Sequence, residues 1–413
     1  MTAWNPVWQL SIDGGTFQTV TLANLTVTSG RTDIYQQPVA GYASVEIINT
    51  DQSAIAIEIN DSFALQVKDS TNTFVPIFGG YVTDIDQSVR SSGSNAVVQS
   101  FKVTALGALS KLPKVLTEGV LSKDFDGNQI KSILTPILFS QWNEVPAATT
   151  WATYTATETW ANAQNTGYGE IDTPGDYELT SRSSSTTDVY SLISALATSG
   201  AGYIYEDAQG RICYADSTHR GEYLATNGYV ELSGNHALSR GIATSRRIGD
   251  IRNKVTITYK ANAQSTAENT ASQALYGVQA QNIATSIENA ADATAQANFY
   301  LALRAYPQSL FKSITFELTN PELDNADRDA LIKMFMGLPI DVTDLPANMT
   351  GGRFQGFVEG WTFSAGFNKL QVTLNVSPIA FSLQAFKWTN VPAGETWNTI
   401  SPTLDWTNAT IVA

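Results

Sequence analysis

The groups most able to do chemistry are few, and their spacing fits no common catalytic pattern. His219 and His236 are the only histidines, seventeen residues apart, and Cys213 is the only cysteine. No HExxH, no HxE with a later CxxC and no three-histidine set can be written from them, so a zinc hydrolase would rest on carboxylates alone. GxSxG, GxxxxGK[ST] and a strand-borne GxGxxG are absent, which leaves serine hydrolases, P-loop enzymes and dinucleotide binders without an anchor. A lone cysteine closes no intrachain disulfide and reads as a small buried apolar residue. Asp124-Phe125-Asp126-Gly127-Asn128 begins like a calcium loop, but Gln129 stands where that loop needs glycine and Thr135 where it needs glutamate, so the segment reads as a helix cap. The carboxylate pair of a glycosidase is defined by a separation of roughly 5 to 9.5 Å in space, which the 38 acids of this chain neither supply nor deny. No catalytic residue, metal ligand or cofactor is assigned, and an enzyme is not expected.

Composition narrows the classes further. At 413 residues the chain has room for two to four domains of about 100 to 200 residues, each with its own core. Only 15% of positions are charged, against roughly 25% in an average soluble protein, which argues against a solvated, disordered chain. With 24 Lys plus Arg against 38 Asp plus Glu the net charge is −14, so the clustered positive charge that neutralises phosphates is missing, and an anionic membrane would repel the chain. Residues 1–10 lack a basic and then apolar signal region, and no run of about 18 apolar residues occurs. Neither secretion nor stable membrane insertion is expected.

These limits leave the elements themselves. Alternation in Ala43–Ile47, Ile55–Ile59, Phe63–Val67 and Phe78–Val82, with turn residues between, predicts short strands every ten or so residues. Helices are expected over 106–116 and 129–138, and again over 188–198 with Thr186 or Thr187 as cap and Gly200 just past the end. A hairpin follows, Tyr203–Glu206 and Arg211–Tyr214 around the turn Asp207–Gly210, then a strand Lys254–Tyr259. Thr285-Ser286-Ile287-Glu288 fits a capping box opening a helix that Pro307 stops, with Ala293, Ala297, Leu301 and Ala305 as its packed face. A strand over 313–318, a helix over 325–336 and strands over 358–363 and 370–376 complete the pattern. The fold class expected is α+β, mostly β. The domains are a β domain over 1–105, a helical insertion with a Trp-rich arm over 106–165, a mixed middle domain over 166–260, a second β-rich domain with helices over 261–385 and a C-terminal Trp arm over 386–413.

The strongest internal signal is a repeat. Trp142, Trp151 and Trp160 share a nine-residue spacing with Trp388, Trp397 and Trp406, and Val-Pro-Ala recurs in register at Pro146 and Pro392. Nine residues on one strand or one helix turn successive rings to opposite faces, so a prolyl turn between short extended arms is required to align them. Each indole buries roughly 150 to 250 Å², on the order of 4 to 6 kcal/mol gross at about 25 cal/mol per Å², which makes six rings in water a liability. Each arm packs on its own domain, or the second arm docks on a neighbouring subunit through Trp388, Pro392, Trp397 and Trp406. A sugar-stacking ladder is a third reading.

Three segments in order carry a family likeness. The first is Gly30-Arg31-Thr32-Asp33 through Gly41, with Ala43–Asn49 and then Pro76–Asp84. The second is the helix and hairpin Leu192–Tyr214, in which Gly200 stands where an acid is frequent. The third is Asp250–Ile257, followed by Ser272–Gly277 and the helix ending at Tyr306-Pro307. Together they resemble the minor tail proteins and tail-tip (baseplate) hub proteins of long-tailed bacteriophages, over most of the chain.

That resemblance implies two β-barrel or sandwich-like domains of tail-tube type per subunit, so that a homotrimer makes a pseudo-sixfold ring between tail tube and tip. The function it implies is a structural hub that forms part of the channel for genome ejection. Its partners would be further copies of itself, a distal tail or tail tube protein, the tape-measure protein and other tip or fibre proteins, with DNA passing unbound. Its place would be the virion tail tip, after assembly in the host cytoplasm. A hexameric distal tail ring is the alternative within the structural class, and a receptor- or carbohydrate-binding tip protein the alternative outside it, ahead of an enzyme that degrades cell wall or capsule.

Overall fold

The structure, a computed structural model, describes residues 4–49, 55–93, 96–138, 171–260, 262–307, 310–366, 369–378, 383–385 and 410–412. Among them the chain is mostly β, with one 13-stranded sheet as its frame. The arm residues Trp142, Pro146, Trp151 and Trp160 of the first copy and Trp388, Pro392, Trp397 and Trp406 of the second lie outside the described residues.

The two β-rich ends of the sequence are halves of that one sheet rather than two closed bodies. Leu22–Gly30 pairs antiparallel with Phe354–Gly366, in register from Gly360↔Gly30 to Gly366↔Asn24. Outward from this seam run Tyr42–Asn49, Ala96–Leu106, Phe74–Gly93, Ser62–Lys68 and Trp8–Ile12 on one side, and Lys369–Pro378, Leu310–Glu317 and Ala237–Ser245 on the other. The alternation that predicts the strands also sets their faces, because successive side chains point to opposite sides. Leu25 and Val27 share one buried core with Ala43, Val45 and Ile47. Phe316, Trp361, Phe363 and Val372 extend it across the seam.

A second core lies beside the sheet. It packs α1 (Asp126–Leu138), α2 (Val189–Ser199), the hairpin Tyr203–Glu206 with Ile212–Ala215, the three-stranded sheet Lys254–Tyr259, Ala263–Glu268 and Ala280–Ala284, and a long helix, Ala290–Arg304. Between the two cores runs α3 (His219–Asn227), while α4 (Thr270–Tyr276) is tied to the three-stranded sheet and the long helix through Ser272, which bonds Asn253 and the Ala305 carbonyl; neither is expected from the sequence, the long helix is α5, and Asn325–Ile332 is α6.

Several elements differ from their expected bounds for local reasons. Ile55–Ile59 is no strand, because the Asp61 carboxylate captures the Glu58 amide at 2.7 Å and the chain turns at Asn60 with positive φ. The helix expected over 106–116 is a short 3₁₀ turn, Ala108–Lys114, with Pro113 inside it. The Thr285–Glu288 capping box is unused, since its backbone already bonds Thr258, Glu178 and Thr180, so α5 starts after Asn289. For α2 the cap is Asp188, which accepts the Ser191 amide at 2.8 Å, rather than Thr186 or Thr187.

Candidate functional site at the junction of the two cores

Glycine sets the geometry where the halves of the sheet meet. A Cβ on Gly30 (φ +87°) would lie 2.3 Å from the Glu359 carbonyl oxygen, and one on Gly360 would lie 2.7 Å from that of Ser29. Free of those atoms, the strands close until the Arg31 amide donates to the Glu359 carbonyl at 2.8 Å. That contact delivers the Arg31 side chain to the Glu359 carboxylate, Nε to Oε2 at 2.7 Å. Arg220 reaches the same carboxylate from α3, Nη1 to Oε1 at 2.6 Å and Nη2 to Oε2 at 3.0 Å, and Ser377 Oγ donates at 2.6 Å. Arg31 Nη1 also donates to the carbonyls of Ile34 and Gln36, which holds the loop after the strand. Both guanidiniums lie over the Tyr203 ring, at 5.1 and 4.6 Å from its centroid.

Glu359 is only 2% exposed. Burial alone would push its carboxyl up, but Arg220 and Arg31 outweigh that and hold it well below the usual carboxylate range. The triad thus ties the first β half, the second β half and α3 to a single carboxylate.

A second carboxylate does the opposite. Glu206, at the end of the hairpin's first strand, enters the first β half and accepts backbone N–H bonds from Gly41, at 2.8 Å, and from Leu109. A Cβ on Gly107 would lie 2.1 Å from that carboxylate. Burial raises Glu206 to about 7, against the pull of the two N–H donors. The turn beside it is held by Asp207, which accepts from the amides of Gln209 and Arg211 and from Arg211 Nε. It seats on Gly79, where a Cβ would lie 2.1 Å from the Gln209 carbonyl.

The three motif segments of the sequence therefore divide. Gly30-Arg31, Phe78-Gly79-Gly80 and the hairpin Tyr203–Tyr214 converge on this junction. The third organises its own sheet instead, through buried Asn253, which bonds Ser272 Oγ, the Gly277 carbonyl and the Gln279 amide.

Between the cores lies a cavity of about 270 Å³, walled by Arg31 and Arg220 and by the rings of Tyr35, Tyr177, Tyr203 and Tyr300. Asp216 also lines it, and Asp126, Asp172 and Asp176 lie near Asp216. Burial raises Asp126 to about 6 and Asp216 to about 7, with repulsion from neighbouring carboxylates adding to each. The two histidines serve as partners of acids: His219 Nδ1 lies 2.5 Å from Asp172 and His236 Nδ1 2.8 Å from Asp327. His236, Asp324 and Asp327 approach one another within 4.8 Å, but Asp324 caps α6 by accepting the Asp327 amide. Asp327 in turn takes the imidazole and the Ser233 amide, so the trio has a structural use. Cys213 is buried at 1% exposure in the hairpin, and Asp124 bonds Asn128 at the start of α1, as a cap segment does.

The sequence holds Arg31, Gly79 and Glu206 inside motifs and Asp126 inside a cap segment without showing their roles at the junction, and gives no local role to Glu359, Arg220, Asp172, Asp176 or Asp216. One signal was present: Glu359 is a lone acid within the apolar run Phe357-Val358-Glu359-Gly360-Trp361 of a chain poor in charge.

Solved structures share this architecture. The 43 kDa tail protein of prophage MuSo2 from Shewanella oneidensis matches at a TM-score of 0.52 and 12% identity, over 91% of this chain and 98% of its own. The tail protein from Neisseria meningitidis MC58 matches at 0.55 and 10% identity, again over 91% and 98%. No protein-family model matches the sequence, and no curated protein matches it. The fold is that of these tail proteins, over about nine tenths of this chain and nearly the whole of each of theirs.

Proposed function

We propose that the chain is a non-enzymatic structural subunit of a bacteriophage tail, and within it a homotrimeric hub that joins the tube to the tip and forms part of the genome channel. The observation that carries this reading is the 13-stranded sheet, whose two halves stand side by side and are locked by Arg31, Glu359 and Arg220. One subunit so built presents two β faces in fixed relation, and three copies present six, which suits a sixfold neighbour. The match to two tail proteins along nearly their whole length supports the class. Neighbours in the virion tail tip would be a distal tail or tube protein and the tape-measure protein, with further tip or fibre proteins below. A net charge of −14 would keep passing DNA from sticking. The C-terminal arm, with Trp388, Trp397 and Trp406, is assigned to subunit contact.

Native mass spectrometry across a concentration series tests the hub. A trimer is expected; a hexamer would point to a distal ring, and a monomer at every concentration would count against self-assembly. Deleting 386–413 is expected to lower the trimer fraction while circular dichroism is unchanged. Unaltered assembly would remove the arm from the contact.

A further inference from the structure

We propose that Asp126, Asp172, Asp176 and Asp216 form a proton-operated latch that fastens residues 171–177 to α1, to the end of the hairpin and to the start of α3, closing in acid and loosening in base. The geometry is a segment held by carboxylates alongside three backbone bonds, in which the Asp126, Asn128 and Asp172 amides donate to the Tyr177, Pro174 and Tyr214 carbonyls. Asp172 accepts from the Asp216 amide at 3.1 Å and meets His219 Nδ1 at 2.5 Å. Asp176 accepts from Ser217 Oγ and the Thr218 amide. Asp126 accepts from the Tyr177 amide at 2.8 Å and from the Tyr214 hydroxyl. Asp216 accepts from Thr218 and from the His219 amide at 3.0 Å. Glycines let these groups crowd: a Cβ on Gly175 (φ +90°) or on Gly200 would lie 2.4 Å from an Asp126 carboxylate oxygen.

The charged and titratable groups facing the cluster are mostly of one kind. The segment supplies Asp172, Asp176 and Tyr177, α1 supplies Asp126, the hairpin Tyr205 and Tyr214, the chain after it Asp216, α3 His219, and α5 Asp292. Arg220, next to His219, is engaged with Glu359. Among the described residues these four acids thus have one imidazole beside them, that of His219, which meets Asp172. Asp126 and Asp216 are raised in the closed form, so that form binds protons more tightly than the open one. Its advantage is complete at low pH and is lost as pH rises through about 6 to 7.

Hydrogen–deuterium exchange on the full-length protein, corrected for intrinsic rates, tests this between about pH 5 and about pH 8, a window that spans the raised groups. Protection of the Asp172, Tyr177, Asp216 and Thr218 amides should fall by at least about tenfold across the window, because each raised acid contributes about one pKa unit of coupling or more. In Asp216→Asn the fall should shrink to about half or less on a logarithmic scale, because one of two coupled acids no longer ionises. Constant protection in the wild type, or an undiminished fall in the variant, would overturn the latch. If Asp216→Asn does not fold, carbon-13 titration of aspartate carboxyls in the wild type decides instead. Two resonances titrating near 6 and 7 support the latch, and all aspartates titrating in the ordinary carboxylate range reject it.

Discussion

The junction and the aspartate cluster handle the same group in opposite ways. At Glu359 two guanidiniums surround one buried carboxylate, and the carboxyl is held far below its usual range despite burial. A short distance away four aspartates have, among the described residues, a single imidazole beside them, and the two deepest are pushed up. The hinge between these sites is α3 itself, where His219 faces the acids and Arg220 faces Glu359. Burial acts upward on a carboxyl in both places, so the count of facing cations decides the sign. One site is consequently a fixed joint whose charge state does not change over ordinary pH, and the other is built to respond to it.

The largest effect that could break this contrast is at the joint. Glu359→Gln removes the negative charge between two buried guanidiniums, and losing one partner of a buried pair costs about 3 to 5 kcal/mol. Urea denaturation should show that loss, and a cost under about 1 kcal/mol, the scale of an exposed pair, would mean the triad is no joint at all. Next in size is Gly79→Ala. Its Cβ would sit 2.1 Å from the Gln209 carbonyl, so the hairpin turn must lift, at about 1 to 3 kcal/mol for overpacking. Gly249→Ala is the control, since nothing lies within 4 Å of its Cβ.

How much of this was legible depends on what each feature needs. Ala43–Ile47 and Phe63–Val67 could be read because alternation is local and a neighbour completes it. Ile55–Ile59 shows equal alternation and forms no strand, because Asp61 and Asn60 turn the chain there. Gly79-Gly80 read correctly as part of a strand and Asp207–Gly210 as a turn, yet their meeting across some 130 positions has no local signature. Asp172-Thr173-Pro174-Gly175-Asp176 looks like an ordinary polar loop, and only packing against Asp126 and Asp216 turns it into a cluster. Glu359 was the exception, since an acid inside an apolar strand demands a buried partner wherever that partner lies in sequence.

Glu206 sharpens the comparison between joint and cluster, because it has a joint's position and a cluster's electrostatics. It is partly buried, accepts from the Gly41 and Leu109 amides with no cation bonded to it among the described residues, and is raised to about 7. A raised group contributes stability at low pH and loses it as pH climbs through that value, whereas Glu359, depressed, contributes throughout and fails only in strong acid. Stability measured by urea denaturation should therefore decline between about pH 5 and about pH 8, and Glu206→Gln should flatten part of that decline. The variant carries its own cost of about 1 to 3 kcal/mol at all pH values, since one amide hydrogen now faces a donor. An unchanged slope would assign the decline to Asp126 and Asp216 alone.

The smallest expected effect sets the floor for all of these. Lys254 and Glu268 lie 3.4 Å apart on paired strands with both side chains about half exposed. Glu268→Ala should cost no more than about 0.2 to 1 kcal/mol and should shrink further in salt, because solvent screens the pair and the long side chains regain freedom. It shares with the Arg31–Glu359 pair a place between antiparallel strands and differs in burial and in the second cation. A loss here approaching that of Glu359→Gln would show that strand pairing, not the buried triad, carries the energy of the joint, and the contrast between the two carboxylate sites would no longer hold.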